Sequence, residues 1–125
     1  MSKSNLDYFG QIIVSGARDA SIGFWERLLE GKIKSAGSKL LYEELQKEFD
    51  HSQREIVLLI ISQVVDTTVH NFLWTIEQTD DIDLIRSQEQ GSMSLKSQSD
   101  GLTGELYSED GWILRFSQKN YIEPS

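Results

Sequence analysis

Apolar residues recur at three- and four-residue steps through the first quarter of the chain. Leu6, Phe9, Ile13, Ala17, Ala20, Phe24 and Leu28 fall on one face of a long helix. Ser4 or Asn5 caps its start. Gly16, Ala17, Ala20 and Gly23 are small enough to let a neighbouring element approach closely. Internal glycines cost about 1 kcal/mol each against alanine, so a kink or break is expected near Gly16. Gly31 is the expected C-terminal stop. Residues 32–37 read as a polar loop. Ser38 then opens a second helix with Leu40, Leu41, Leu45 and Phe49 facing inward and Lys39, Glu43, Lys47 and Glu48 facing water.

A third helix is expected over residues 53–78. Two start signals overlap before it: Ser52 with Glu55 matches a capping box, and Asp50 with Gln53 is a weaker version. Ile56, Val57, Leu58, Leu59, Ile60, Ile61, Val64 and Val65 make its first half apolar nearly all round, and Val69, Phe72, Leu73 and Ile76 continue it. Such a helix belongs in the centre of a bundle. The β-branched content of residues 56–61 makes a buried strand the rival assignment, and the length of the periodic run favours helix.

Past Thr79-Asp80-Asp81 the pattern shortens. Ile82, Leu84 and Ile85 with Asp83 and Arg86 read as a short strand, and Met93-Ser-Leu95-Lys alternates as a half-buried strand does. Gly101 and Gly104 bracket a turn. Glu105-Leu-Tyr107 and Trp112-Ile-Leu-Arg-Phe116 flank Ser108-Glu-Asp110-Gly111, a hairpin signal with a loop of three to five residues. Tyr107, Trp112 and Phe116 are the expected plug between sheet and helices. The expectation is an α+β fold in a single domain, residues 1–125: an N-terminal bundle of about three helices, then a small antiparallel β-sheet with a C-terminal hairpin. The only proline, Pro124, sits in the tail.

The chain of 125 residues carries 20 acidic and 12 basic residues, a net charge of -8. That balance disfavours a direct nucleic-acid binder or a protein of anionic membrane surfaces, both of which need clustered Lys and Arg. The imbalance is local. Residues 1–65 hold nine acids and eight bases, residues 66–110 ten acids and two bases, and residues 111–125 one acid and two bases. Asp80, Asp81 and Asp83 cluster at one corner, Glu105, Glu109 and Asp110 gather at the expected hairpin, and Glu89 lies between them. A patch of one sign steers and binds a basic partner. With no cysteine, disulfide scaffolds, thiolate zinc sites and cysteine nucleophiles are excluded. No signal-peptide pattern opens the chain, and the most apolar segment, 56–61, is too short to span a bilayer, so a cytoplasmic location is expected.

Candidate chemistry is sparse. Asp66 and His70 lie four apart on the third helix, with Glu77 near the same face, a set able to hold a metal or run acid–base chemistry. It lacks a third ligand at diagnostic spacing, and no HExxH is present. The structural alternative has Asp66 bonding His70 or a sheet backbone group. His51 reads as a surface residue. No GxSxG elbow, phosphate-binding loop or GxGxxG occurs. Trp25, Trp74 and Trp112, on three separate elements, read as packing residues rather than a stacking platform.

Two runs carry a resemblance: Val65-Asp-Thr-Thr-Val-His-Asn-Phe-Leu-Trp-Thr-Ile-Glu77 and Ser99-Asp-Gly-Leu-Thr-Gly-Glu-Leu-Tyr-Ser-Glu-Asp-Gly-Trp-Ile113. They are similar to small acidic bacterial proteins of the immunity class that accompanies contact-dependent and other polymorphic toxins. The resemblance implies a non-enzymatic antitoxin that binds a cognate toxin, with no cofactor and no metal, and transfers no functional residue. Combined with the charge map, it leads to an acidic toxin-binding face of Asp80, Asp81, Asp83, Glu89, Glu105, Glu109 and Asp110, with Tyr107 or Trp74 as aromatic anchor and a basic toxin domain, plausibly a nuclease, as partner. The alternatives are a small enzyme or metal-binding regulator centred on Asp66, His70 and Glu77, and an assembly subunit whose apolar helix face pairs with its own copy.

Overall fold

A computed structural model describes residues 4–107 and 109–119. Ser108, in the expected hairpin loop, and Pro124 lie outside the described residues. The chain is mostly helical, with one small two-stranded antiparallel sheet after the long helices. Helix α1 spans Asn5–Ile13 and α2 spans Ala20–Leu29, joined by one π-helical stretch, Val14–Asp19. Then come α3 (Ala36–Glu48), α4 (His51–Gln78), β1 (Ile85–Gln88), β2 (Gly91–Ser94), the single turn α5 (Leu95–Gln98), a 3-10 turn (Thr103–Glu105) and α6 (Trp112–Phe116).

The break expected near Gly16 is the π-helical stretch. Its i→i+5 bonding inserts one residue into the turn and rotates α2 relative to α1. The buried positions therefore move from Ile13 and Ala17 to Val14 and Arg18, each about 1 % exposed. Helix α1 starts at Ser4, whose hydroxyl accepts from the Asp7 N–H. Helix α2 ends as expected at Gly31, which has φ +76°. Gly31 N–H donates to the Leu28 carbonyl and Lys32 N–H to the Arg27 carbonyl, a Schellman pair that only a residue tolerating positive φ permits. A side chain at Gly31 would also strike the Tyr42 ring.

Helix α3 begins earlier than expected, with Ser35 rather than Ser38 as its cap. Its expected inward face is mostly outward: Leu40, Leu41 and Phe49 are exposed. Helix α4 is capped by the weaker of the two expected boxes. The Asp50 carboxylate accepts from Gln53 N–H, and the Gln53 side chain accepts from Asp50 N–H. Ser52 instead donates to Asp50. Helix α4 is not the centre of a bundle. Helix α2 packs along it and the C-terminal elements cover one side of its end, while Ile56, Leu59, Ile60, Val64, Phe72 and Trp74 remain exposed.

β1 and β2 pair antiparallel, Ile85 opposite Ser94 and Gln88 opposite Gly91. Among the described residues the expected C-terminal hairpin does not form. Gly111 is the N-cap of helix α6, and Trp112, expected in a strand, opens that helix. The cause lies in packing. Trp112 is completely buried against Gly10 and lies edge-on to Phe9, with centroids 5.7 Å apart at 74°. A strand would send Ile113 to the opposite face, whereas a helical turn buries Trp112 and Ile113 together. The core they complete contains Val14, Leu73, Ile76, Leu102 and Leu106, with Leu6, Phe9 and Phe116 at its margin. Arg115, on the outer side of α6, forms a two-pronged ion pair with Asp7 of α1 at 2.7 and 3.1 Å.

That pair sets an acid dependence. Arg115 hydrogen bonding holds the Asp7 carboxyl below its ordinary value, with the indole of Trp112 and the Ser4 hydroxyl adding to the effect. A depressed carboxyl contributes stability above its unfolded value near 3.8, and the contribution disappears as pH falls through the folded value. Because the pair is about one-third exposed, Asp7→Asn is expected to cost about 0.5–1 kcal/mol at pH 7. The gap between wild-type and variant melting curves should narrow as pH falls below about 3.8.

Candidate binding surfaces

The expected acidic face divides into two groups. The first sits where α4 ends. Thr79 terminates the helix, and the chain turns through Asp80, Asp81, Ile82 and Asp83 into β1. Lys96 of α5 reaches back and donates to the carbonyls of Thr79 at 2.6 Å and Ile82 at 2.9 Å, closing the turn and placing a cation at the negative end of the helix. The three aspartates, with Ser94, Lys96 and Ser97, line an open hollow of about 440 Å³. Hydrogen bonding from Ser94 holds the Asp83 carboxyl below its ordinary range, helped by the Leu84 N–H and Lys96. Asp80, Asp81 and Asp83 are all exposed.

The second group surrounds the loop from the 3-10 turn to α6. Glu105 is half-buried and accepts from Ser99, while Glu109 and Asp110 are exposed. Hydrogen bonding to Asp7 raises the Arg115 pKa, and the charges of Asp110 and Glu105 add to the effect. Glu77 ties this group to the end of α4 by accepting from Thr103 N–H at 3.4 Å. Glu89 lies apart, at the exposed tip between β1 and β2. The hairpin that carries it is fastened to α1 through Arg86, which donates to Asn5 at 2.8 Å and covers the Tyr8 ring at 3.9 Å.

The two aromatic anchors differ. Trp74 is half-exposed on α4. Tyr107 is half-buried: its ring lies beside His70, centroids 5.9 Å apart, and its hydroxyl donates to the Asp66 carbonyl.

Asp66, His70 and Glu77 do not converge. The Asp66 carboxylate faces Arg18, which donates Nε to Oδ1 at 2.6 Å and Nη2 to Oδ2 at 3.3 Å. Arg18 Nη1 donates to Asp19 at 2.7 Å and to the Ser117 hydroxyl at 2.8 Å. Asp19 in turn accepts from Gln118 N–H at 2.6 Å. Arg18, Asp19 and Asp66 are each at most 6 % exposed. Among the described residues, no group of three His, Asp or Glu side chains is placed to hold a metal. His51 is the exposed first residue of α4, beside Glu55 at 3.1 Å.

No family model, curated protein or solved structure matched the chain.

The buried network escaped the sequence reading, yet it left a trace there. Arg18 is the only cation among residues 4–26, and Asp66 is the only acid between Glu55 and Glu77. Two lone opposite charges in otherwise apolar helices require each other once both are buried.

A second surface was also concealed. Helix α4 carries an uncharged, exposed stripe of Ile56, Ile60, Gln63, Val64, Thr67, Asn71 and Trp74, turned away from the buried face of Ser62, Asp66 and Leu73. By length and composition, α4 is long and apolar enough to cross a membrane, contrary to the expectation drawn from residues 56–61 alone.

Proposed function

We propose that the protein is a non-enzymatic antitoxin of the immunity class, acting in the cytoplasm, that neutralises a toxin domain with a basic surface, such as that of a nuclease. The observation that carries this reading is the concentration of exposed acids beyond α4. Asp80, Asp81, Asp83, Glu89, Asp100, Glu109 and Asp110 are all exposed. The two bases of the same region, Arg86 and Lys96, are engaged by Asn5 and by backbone carbonyls. Seven exposed acids against two bases leave this stretch of the chain net negative, which favours rapid, salt-sensitive capture of a basic protein. A nuclease presents such a surface because it must hold phosphate.

The test begins with affinity capture of the partner and purification of the complex. The partner is expected to be a basic domain whose toxicity is suppressed on co-expression. Reversing Asp80, Asp81 and Glu109 to lysine is expected to weaken binding about 10- to 100-fold, chiefly through slower association, and to flatten its salt dependence. A complex indifferent to both salt and the reversal sinks the acidic-face reading.

A further inference from the structure

We infer that the exposed stripe of α4 is the interface of a symmetric dimer, in which α4 of one copy lies antiparallel on α4 of a second. This inference stands independently of the antitoxin reading. Ile56, Ile60, Val64 and Trp74 are each about half-exposed. Between Glu55 and Glu77 the only acid is Asp66, buried on the opposite side of the helix and paired with Arg18. The stripe therefore offers nothing for a charged partner to recognise. It also brings no like charges together when two copies of a chain with net charge -8 meet across it.

Its layout suits an isologous contact. In a two-fold contact residue i meets j and j meets i. With the axis near residue 65, Trp74 of one copy lies over Ile56 of the other, and Thr67 over Gln63. The aromatic end thus covers the aliphatic end twice. At the middle, Ile60, Gln63, Val64, Thr67 and Thr68 frame a shallow hollow of about 350 Å³, where one helix can settle into the other. The antiparallel sense also separates the two Asp80–Asp81–Asp83 corners by the length of α4, about 42 Å for 28 residues. A parallel pair would place these corners side by side.

The area is sufficient for a reversible dimer. The stripe's four large apolar residues, each about half-exposed, leave bare a patch on the order of 400 Å², the size that marks an interaction site. Doubled, and with Gln63, Thr67 and Asn71 included, the contact is on the order of 1,000 Å², that of a weak, reversible interface.

Sedimentation equilibrium from about 2 to 200 μM is expected to carry the mass from 14.3 kDa towards twice that value. Ile60→Lys with Val64→Lys should hold it at 14.3 kDa while leaving circular dichroism and the dilute-solution melting curve unchanged, because both side chains are already exposed. The chain has no cysteine, so single cysteines report the geometry cleanly. Under mild oxidation Thr67→Cys should form disulfide dimers near the axis. Ile56→Cys alone should not, since its two copies stand roughly 27 Å apart along the helices, whereas a mixture of Ile56→Cys and Trp74→Cys should cross-link. A mass of 14.3 kDa throughout overturns the inference. So does a dimer that survives the lysine pair, or self-cross-linking of Ile56→Cys. Binding to neutral phosphatidylcholine vesicles that Ile60→Lys and Val64→Lys abolish, with no dimer in solution, overturns it in favour of a lipid surface.

Discussion

Arg18→Met is expected to destabilise the fold by about 3–5 kcal/mol. The loss does not come from the ion pair's own worth, which desolvation largely offsets. It comes from stranding two carboxylates, Asp66 and Asp19, in a region where each is at most 6 % exposed. Arg18 spans three parts of the chain: the π-helical stretch it belongs to, Asp66 of α4 and Ser117 after α6. Urea unfolding measures the cost as a lower midpoint. The double variant Arg18→Met/Asp66→Leu removes one stranded charge together with its counter-ion and should recover most of the loss. Asp19 keeps its bonds from Ser117 and the Gln118 N–H. A cost under about 1 kcal/mol for Arg18→Met would mean that the guanidinium is reached by water rather than sealed in the core.

Trp112→Ala should cost about 3–5 kcal/mol, because the indole is wholly buried and its removal leaves a cavity that α1 cannot close. Gly10 is the counterpart: a Cβ there would come within 2.5 Å of the indole ring. Gly10→Val is therefore expected to be severely destabilising from the other side of the same contact, by overpacking rather than by a void. Near-UV circular dichroism should lose the signal of an immobilised indole in both variants. The hairpin reading, with Trp112 half-covered on a small sheet, predicts a loss of well under 3 kcal/mol for Trp112→Ala.

Some of this was legible without coordinates. The Gly31 stop, the break near Gly16, the Asp50 and Ser4 caps and the extent of α4 rest on local rules, since a cap or a positive-φ glycine acts within four residues. The acid-rich region beyond α4 was visible from counting charges. Other features depended on partners far along the chain. Asp66 was read with His70, its neighbour one turn away, because spacing on one helix is visible in sequence. The actual partner, Arg18, lies 48 residues distant and turns inward only because the π-helical stretch adds a residue to the turn. The Asp110-Gly111 pair suited a hairpin, but Gly111 became the cap of a helix once Trp112 had a glycine-floored slot on α1 to fill.

Helix α4 shows where such reasoning reaches its limit. Its hydrophobic pattern dictates a helix and requires that the apolar surface meet something other than water. How much of that surface one copy covers is a question of supply. Helix α2 and the C-terminal elements pack on one side, and among the described residues Ile56, Ile60, Val64 and Trp74 on the other stay exposed. Periodicity establishes that residues 56–74 are helical, because hydrogen bonds run four residues along the chain. The division of α4 into a sealed face holding Asp66 and a bare face holding Ile60 and Val64 came from long-range packing, which couples residues that local pattern treats as independent.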